Sequence, residues 1–167
     1  LWLGTSGGLI RVAGDYQTGE TRFWRSRDDG LQSPHVQHLA ALKTDVVVVT
    51  SQGIGTFGPE GRRDKSAHDQ LSDDIGRVTA IRVADPGKAA VLIGGEGGVF
   101  AMQENQHWRL TAEKVDDLTL DPASGEILVL RNHNLFRLPG DPLKKGLKTP
   151  VAVQGQQDIR YANVIAG

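Results

Sequence analysis

Apolar residues in this chain come in short runs, each broken by a tight turn. Leu1–Val12 reads LWLGTSGGLIRV: an apolar run, a glycine turn, and a second apolar run. The pattern returns at Val46–Phe57 (VVVVTSQGIGTF), Val91–Met102 (VLIGGEGGVFAM) and Ile127–Leu138 (ILVLRNHNLFRL). Aligned without gaps, Gly8, Gly53, Gly98 and Asn134 coincide. Gly and Asn both tolerate the left-handed backbone that tight turns often need, so the exchange of one for the other supports the alignment. Each copy predicts two strands around a turn.

A second recurrence surrounds the first. Val36–Leu42 (VQHLAAL), Val78–Ala84 (VTAIRVA), Val115–Asp121 (VDDLTLD) and Ile159–Ile165 (IRYANVI) read as inner strands. The spacing of Val36, Leu39 and Leu42 also suits a helical turn; the equivalent segments favour a strand, and helices there would make the repeat an α/β solenoid instead. Turns at Asp85-Pro86 and Asp121-Pro122 lead from inner strand to glycine-turn segment. A more polar fourth strand is expected at Thr21–Arg25, weakly within Arg62–Leu71, at His107–Leu110 and at Pro150–Val153.

Four strands repeating every roughly 40–45 residues predict an all-β fold, a β-propeller of four-stranded antiparallel blades written as four sequence repeats. The units fall at about 36–75, 78–110 and 115–153, with 159–167 plus 1–25 as a split blade. The chain opens on the second strand of a blade and closes on an inner strand. It reads either as a closed four-bladed ring or as part of a larger propeller, a piece of a longer polypeptide.

Composition narrows the chemistry. A chain of 167 residues suits one domain with a real core. The 19 Lys and Arg against 20 Asp and Glu leave no basic stripe for nucleic acid. Only Lys144–Lys148 (KKGLK) is locally basic, as a solvated loop. Zero cysteines exclude disulfides and thiolate metal sites. No run of apolar residues is long enough for a membrane span. The Gly94–Gly98 run (GGEGG) lacks the Lys-Ser/Thr and helix of a phosphate loop and reads as a turn. No nucleophile elbow or metal motif occurs, and His35 and His38 stand on opposite faces of a strand. Neither catalytic residues nor a metal or other cofactor are expected. Trp2, Trp24 and Trp108 read as packing between blades.

Candidate binding residues follow from blade topology. The loop joining the second and third strands shares one face with the loop entering the inner strand. The first set supplies Ser6, Gln52, Glu96, Arg131, Asn132, His133 and Asn134. The second supplies Arg27, Asp28, Asp29, His35, Asp73, Asp74, Arg77, Lys114 and Asp116. Adjacent carboxylates on a strand point apart, so the Asp pairs are poor acid–base partners. Of these, Arg27, Asp28, Asp29, His35, Asp73, Asp74, Arg77, Glu96, Arg131, Asn132 and His133 form the expected ligand or partner face.

The first repeat carries a resemblance. LWLGTSGGL followed by TGETRFWRSRDDGLQSPHVQHL resembles the propeller repeat of two-component regulators, with its LW-I-G-T strand, G-G-L turn and D-G-L segment. The second unit matches in Thr50, Gly53 and Ile54, the third in Gly94, Gly97, Gly98 and Val99, and the fourth is degenerate. The resemblance implies a non-enzymatic module, binding an unknown small ligand or protein, as the periplasmic or extracellular sensor of a larger signalling protein. The alternatives are a structural scaffold in a multi-protein assembly and, third, a carbohydrate-active enzyme fragment. Nothing in the chain matches a kinase, receiver or cyclase output. Locally, Ser26, Asp28 and Gly30 resemble the S-x-D-x-G core of an Asp-box turn, without its Thr-Trp.

Overall fold

The computed structural model describes residues 1–14, 19–63, 66–104 and 106–153, except the side chains of 66–68. They form antiparallel sheets and a helix. The first sheet is β1 (Trp2–Thr5), β2 (Gly8–Val12) and β3 (Thr21–Trp24). The second is β4 (Val36–Ala41), β5 (Val46–Thr50), β6 (Gly53–Gly58) and β7 (Gly61–Arg62). Helix α1 (Ser66–Ile75) follows. The third sheet is β8 (Val78–Asp85), β9 (Ala90–Gly95), β10 (Gly98–Gln103) and β11 (Gln106–Thr111). The fourth is β12 (Asp117–Leu120), β13 (Ile127–Arg131), β14 (Asn134–Leu138) and β15 (Val151–Ala152). Each sheet pairs its strands in sequence order, which is the meander of a propeller blade. The fold is all-β and of the β-propeller type. The chain forms two compact units, 1–73 and 74–167.

The expected inner strands at Val36, Val78 and Val115 are strands and not helical turns. Ile159–Ile165, and with it ring closure, lies outside the described residues. The region Arg62–Leu71 corrects the sequence reading. Among the described residues only the two-residue β7 pairs there, with Phe57 and Gly58, and helix α1 begins at Ser66. Helix α1 escapes the pattern because its apolar anchors are few; Leu71 and Ile75, one turn apart, are both fully buried.

The short β7 leaves much of the β6 edge without a strand. Side chains take over the backbone groups of Ile54: its N–H donates to Ser72 Oγ at 3.0 Å, and its carbonyl accepts from Gln32 Nε2 at 2.9 Å. A sheet edge is thereby capped by a helix hydroxyl and a loop amide.

Within unit 1 the core gathers Leu9, Trp24, Leu31, Val46, Val48 and Phe57. Trp24 lies 5.9 Å from Phe57 of the next blade, and Trp2 lies 5.5 Å from Trp24. Within unit 2 the core gathers Leu92, Val99, Leu110, Val115, Leu118, Ile127 and Leu138 among others, with Trp108 packed against it. Packing is thus the role of all three tryptophans.

One contact recurs in both units. Gly4 and Gly94 hold equivalent repeat positions, and a Cβ on either would strike the next blade's inner strand. On Gly4 it would lie 2.5 Å from Val36 and 3.1 Å from Leu39; on Gly94, 2.6 Å from Leu118 and 2.8 Å from Val115. The Val-x-x-Leu of one blade therefore seats on the bare backbone of the blade before it. In unit 2 the seam is also bonded: the Thr79 hydroxyl lies 2.9 Å from the Val115 carbonyl, and Arg82 pairs with Asp117 at 3.2 Å.

The four turns are not equivalent in detail. Gly8, Gly53 and Gly98 adopt φ of 138°, 145° and 116° as they open the second strand of each hairpin. Asn134 does not share this conformation, so tolerance of a left-handed backbone is not why Asn stands there. In the fourth hairpin the positive φ values move one and two residues earlier, to Asn132 (48°) and His133 (62°), as in a type I′ turn.

Gly94→Ala is expected to cost about 1–3 kcal/mol of stability by overpacking the seam. Leu118→Ala alone is expected to cost about 2–5 kcal/mol. Because the two residues touch, the double variant should lose less than the sum, by at least about 0.5 kcal/mol in urea unfolding. Strict additivity would show that Leu118 does not seat on Gly94.

Candidate functional site

The loop that enters each inner strand lies beside the hairpin loop of its own blade. Ser51 N–H donates to the His35 carbonyl at 3.3 Å. Glu96 N–H donates to the Arg77 carbonyl at 3.1 Å, and Gly97 N–H to the Ile75 carbonyl at 2.8 Å. Asn132 N–H donates to Asp116 Oδ2 at 2.7 Å. The topological argument for a shared loop face thus holds within these three blades. Inner strands β4 and β8 also bulge just inside this end, between Val36 and His38 and between Val78 and Ala80. Bulges commonly re-aim side chains next to sites.

In unit 1 this end opens into a cleft of about 370 Å³, lined by Arg27, Gly30, Leu31, Gln32, Gln52, Arg62, Asp69, Ser72 and Asp73. Arg27 comes from the β3–β4 connection and Gln52 from the β5–β6 hairpin; they meet at 3.1 Å, Arg27 Nη2 donating to Gln52 Oε1. Asp69, Ser72 and Asp73 come from one face of α1, at i, i+3 and i+4. Arg62 forms a wall. Its side chain is only 9% exposed, pairs with Asp69 at 3.2 Å, and reaches the Gly30 carbonyl at 3.4 Å. Gln32 links the wall to the sheet, donating to both Ile54 and Asp69.

The cleft unites Arg27 and Asp73 of the expected face with Gln52, a candidate of the hairpin-loop set. It does not take in Asp28, Asp29 or His35. Asp28 is exposed, and His35 is exposed beside the Ser33 hydroxyl. Asp29 holds its own turn, accepting from the N–H of Arg25 at 2.8 Å and of Ser26 at 3.2 Å. These bonds, that from Arg25 foremost, hold its carboxyl below the ordinary 3.8. Gly30 follows at φ 88°, and Leu31 is buried in the core. The D-G-L segment is therefore a cap, a bend and an anchor. The carboxylate that organises it is Asp29, not the Asp28 of the Asp-box resemblance.

In unit 2 the expected residues form separate small groups. Asp74, on the helix and not on a strand, stands 3.8 Å from His107 Nε2. Arg109 donates to the Asp74 carbonyl at 3.4 Å and lies over the Phe100 ring. Arg77 and Glu96 are exposed beside one another. Arg131 pairs with Glu113 and lies 4.5 Å over Phe136, while Asn132 and His133 form the turn. Among the described residues no group of three or more His, Asp or Glu side chains is placed to hold a metal ion.

Sequence reasoning missed Gln32, Arg62, Asp69 and Ser72. The last two needed α1, whose signals were present: Leu71 and Ile75 at i and i+4, with Gly76 just past the end at φ 65°.

No protein family and no curated protein matches the chain. Among solved structures it is similar to the extracellular domain of BT4673, described as a one component system, from B. thetaiotaomicron. The identity is 20% and the TM-score 0.61, over 86% of this chain and 20% of that one. It is also similar to the WD40 domain of Neurospora crassa Pan2, at 15% identity and a TM-score of 0.53, over 93% of this chain and 47% of that one. Likeness at this identity shows the propeller fold. The chain spans about a fifth of the first protein's length and under half of the second's.

Asp29 supplies a pH dependence of stability. Its folded-state acidity is raised, so its contribution is complete above the ordinary carboxylate range and fades as pH falls through the lowered value. Asp29→Ala should lower Tm at about pH 6, and the gap to the parent should narrow by about pH 3. Melting curves with the same gap at both pH values would sink this account of the turn.

Proposed function

We propose that this propeller segment is a ligand- or protein-binding module, acting as the sensory part of a longer signalling protein outside the cytoplasm. The observation that carries the binding reading is the unit 1 cleft. It is polar, of a size at the lower end of the usual range of about 300–1,000 Å³, and built where loops of successive blades meet. Its walls are fixed: Asp29 locks the turn bearing Arg27, and the Ile54 bonds tie Ser72 and Gln32 to the sheet. Rigid elements presenting convergent polar groups favour recognition. The sensory reading is supported by the repeat's resemblance to two-component regulator propellers and by the fold likeness to an extracellular domain.

A second reading, a scaffold, rests on a different observation. Leu3, Ile10 and Phe23 stand in register across the first sheet, and Leu3 and Phe23 are 42% and 46% exposed. Such an apolar row suits a protein contact.

The discriminating test is a melting screen of small polar molecules against the parent and the charge-swapped variant Arg27→Glu, Asp73→Lys. At a hundredfold excess over Kd a ligand stabilises by about 2.7 kcal/mol, a shift of roughly 5 °C or more for a chain of this size. At least one compound class should shift the parent and not the variant. If none separates them, the cleft reading fails, and a Phe23→Asp change that dissolves a complex would favour the scaffold.

A further inference from the structure

We infer that the unit 1 cleft takes a zwitterion of the amino acid or dipeptide class, its carboxylate on Arg27 and its ammonium on Asp73. This deepens the binding reading and rests on it. Four charged side chains line the cleft. Two of them pair with each other: Arg62 and Asp69 meet at 3.2 Å, Arg62 also reaches the Gly30 carbonyl at 3.4 Å, and its Nε is buried with no hydrogen-bond partner among the described residues. The other two are opposite in sign and unspent. Arg27 is exposed, and its contact is the neutral amide of Gln52. Asp73 is exposed, and its carboxylate makes no hydrogen bond or ion pair among the described residues.

Arg27 and Asp73 do not neutralise each other, because separate rigid elements carry them. Arg27 sits on the turn that Asp29 closes. Asp73 sits on a helix anchored by buried Leu71 and by Ser72 on Ile54. A simple anion entering the cleft gains Arg27 and meets repulsion from Asp73. A simple cation meets the reverse. A neutral ligand that excludes water from both leaves two desolvated charges without partners, which is costly. A molecule with a carboxylate at one end and an ammonium at the other satisfies both, and a guanidinium fork matches a carboxylate in a bidentate manner. The neutral amide of Gln52 beside Arg27 suits the polar middle of a peptide. Selection against singly charged ligands is built into the same pair.

The test is an NMR titration of ¹⁵N-labelled protein with L-alanine, L-alanyl-L-alanine, its N-acetyl form, its C-terminal amide, and acetate. The free dipeptide or amino acid should shift the amides of Arg27, Gln52, Ser72 and Asp73 first. Blocking either end should weaken binding at least tenfold. Arg27→Gln should erase the difference between free and amidated dipeptide, and Asp73→Asn that between free and acetylated; both residues are exposed, so neither change threatens the fold. Equal binding of blocked and free forms, binding of acetate as tight as the dipeptide, or no shift at these residues would each overturn the inference. In those cases the cleft reading still stands if the melting screen finds another compound lost on charge swapping, and falls with it if none does.

Discussion

The seating of inner strands β4 and β12 on a glycine of the preceding blade is the constraint on which the rest depends. A sheet twists, and two sheets pack face to face only where side chains interdigitate. At Gly4 and Gly94 the backbone itself becomes the packing surface, so Val36 with Leu39, and Val115 with Leu118, approach closer than any side chain would permit. That approach sets the register between blades. It also brings Trp24 to Phe57 in one unit and Thr79 to the Val115 carbonyl in the other. The loops at the adjoining strand ends inherit their positions from it, and the cleft in turn inherits its geometry from the loops.

Much of this was legible because blades repeat. Runs such as VVVV and AVLI are buried throughout, as strands covered on both faces must be. Repetition hid the exceptions just as well. The position of Asn134 in the alignment was sound, yet the turn chemistry behind it lay in Asn132 and His133. The helix was lost because the neighbouring units place a strand there, and two buried apolar residues are a faint helical signal beside that expectation. With the helix went one side of the cleft, since Asp69, Ser72 and Asp73 share a face only at a helical period. Arg27 and Gln52 were legible because they sit on loops that blade topology alone brings together. Asp29 was legible as a loop carboxylate but not as a cap; that role depends on the donors of Arg25 and Ser26, which the backbone path decides.

The polar groups of the molecule divide into those consumed by the fold and those left over. Asp29, Asp116, Gln32, Arg62 and Asp69 hold turns, hairpins or an edge. In unit 1 two charges left over from that work, Arg27 and Asp73, face one cleft.

The edge of β6 ties the sheet to the cleft. Ser72 and Gln32 stand in for a strand, and both line the cleft. The side chains that finish the sheet are therefore also part of the cleft's lining. A substitution at either residue alters a sheet edge and a pocket wall together, so the two cannot vary independently.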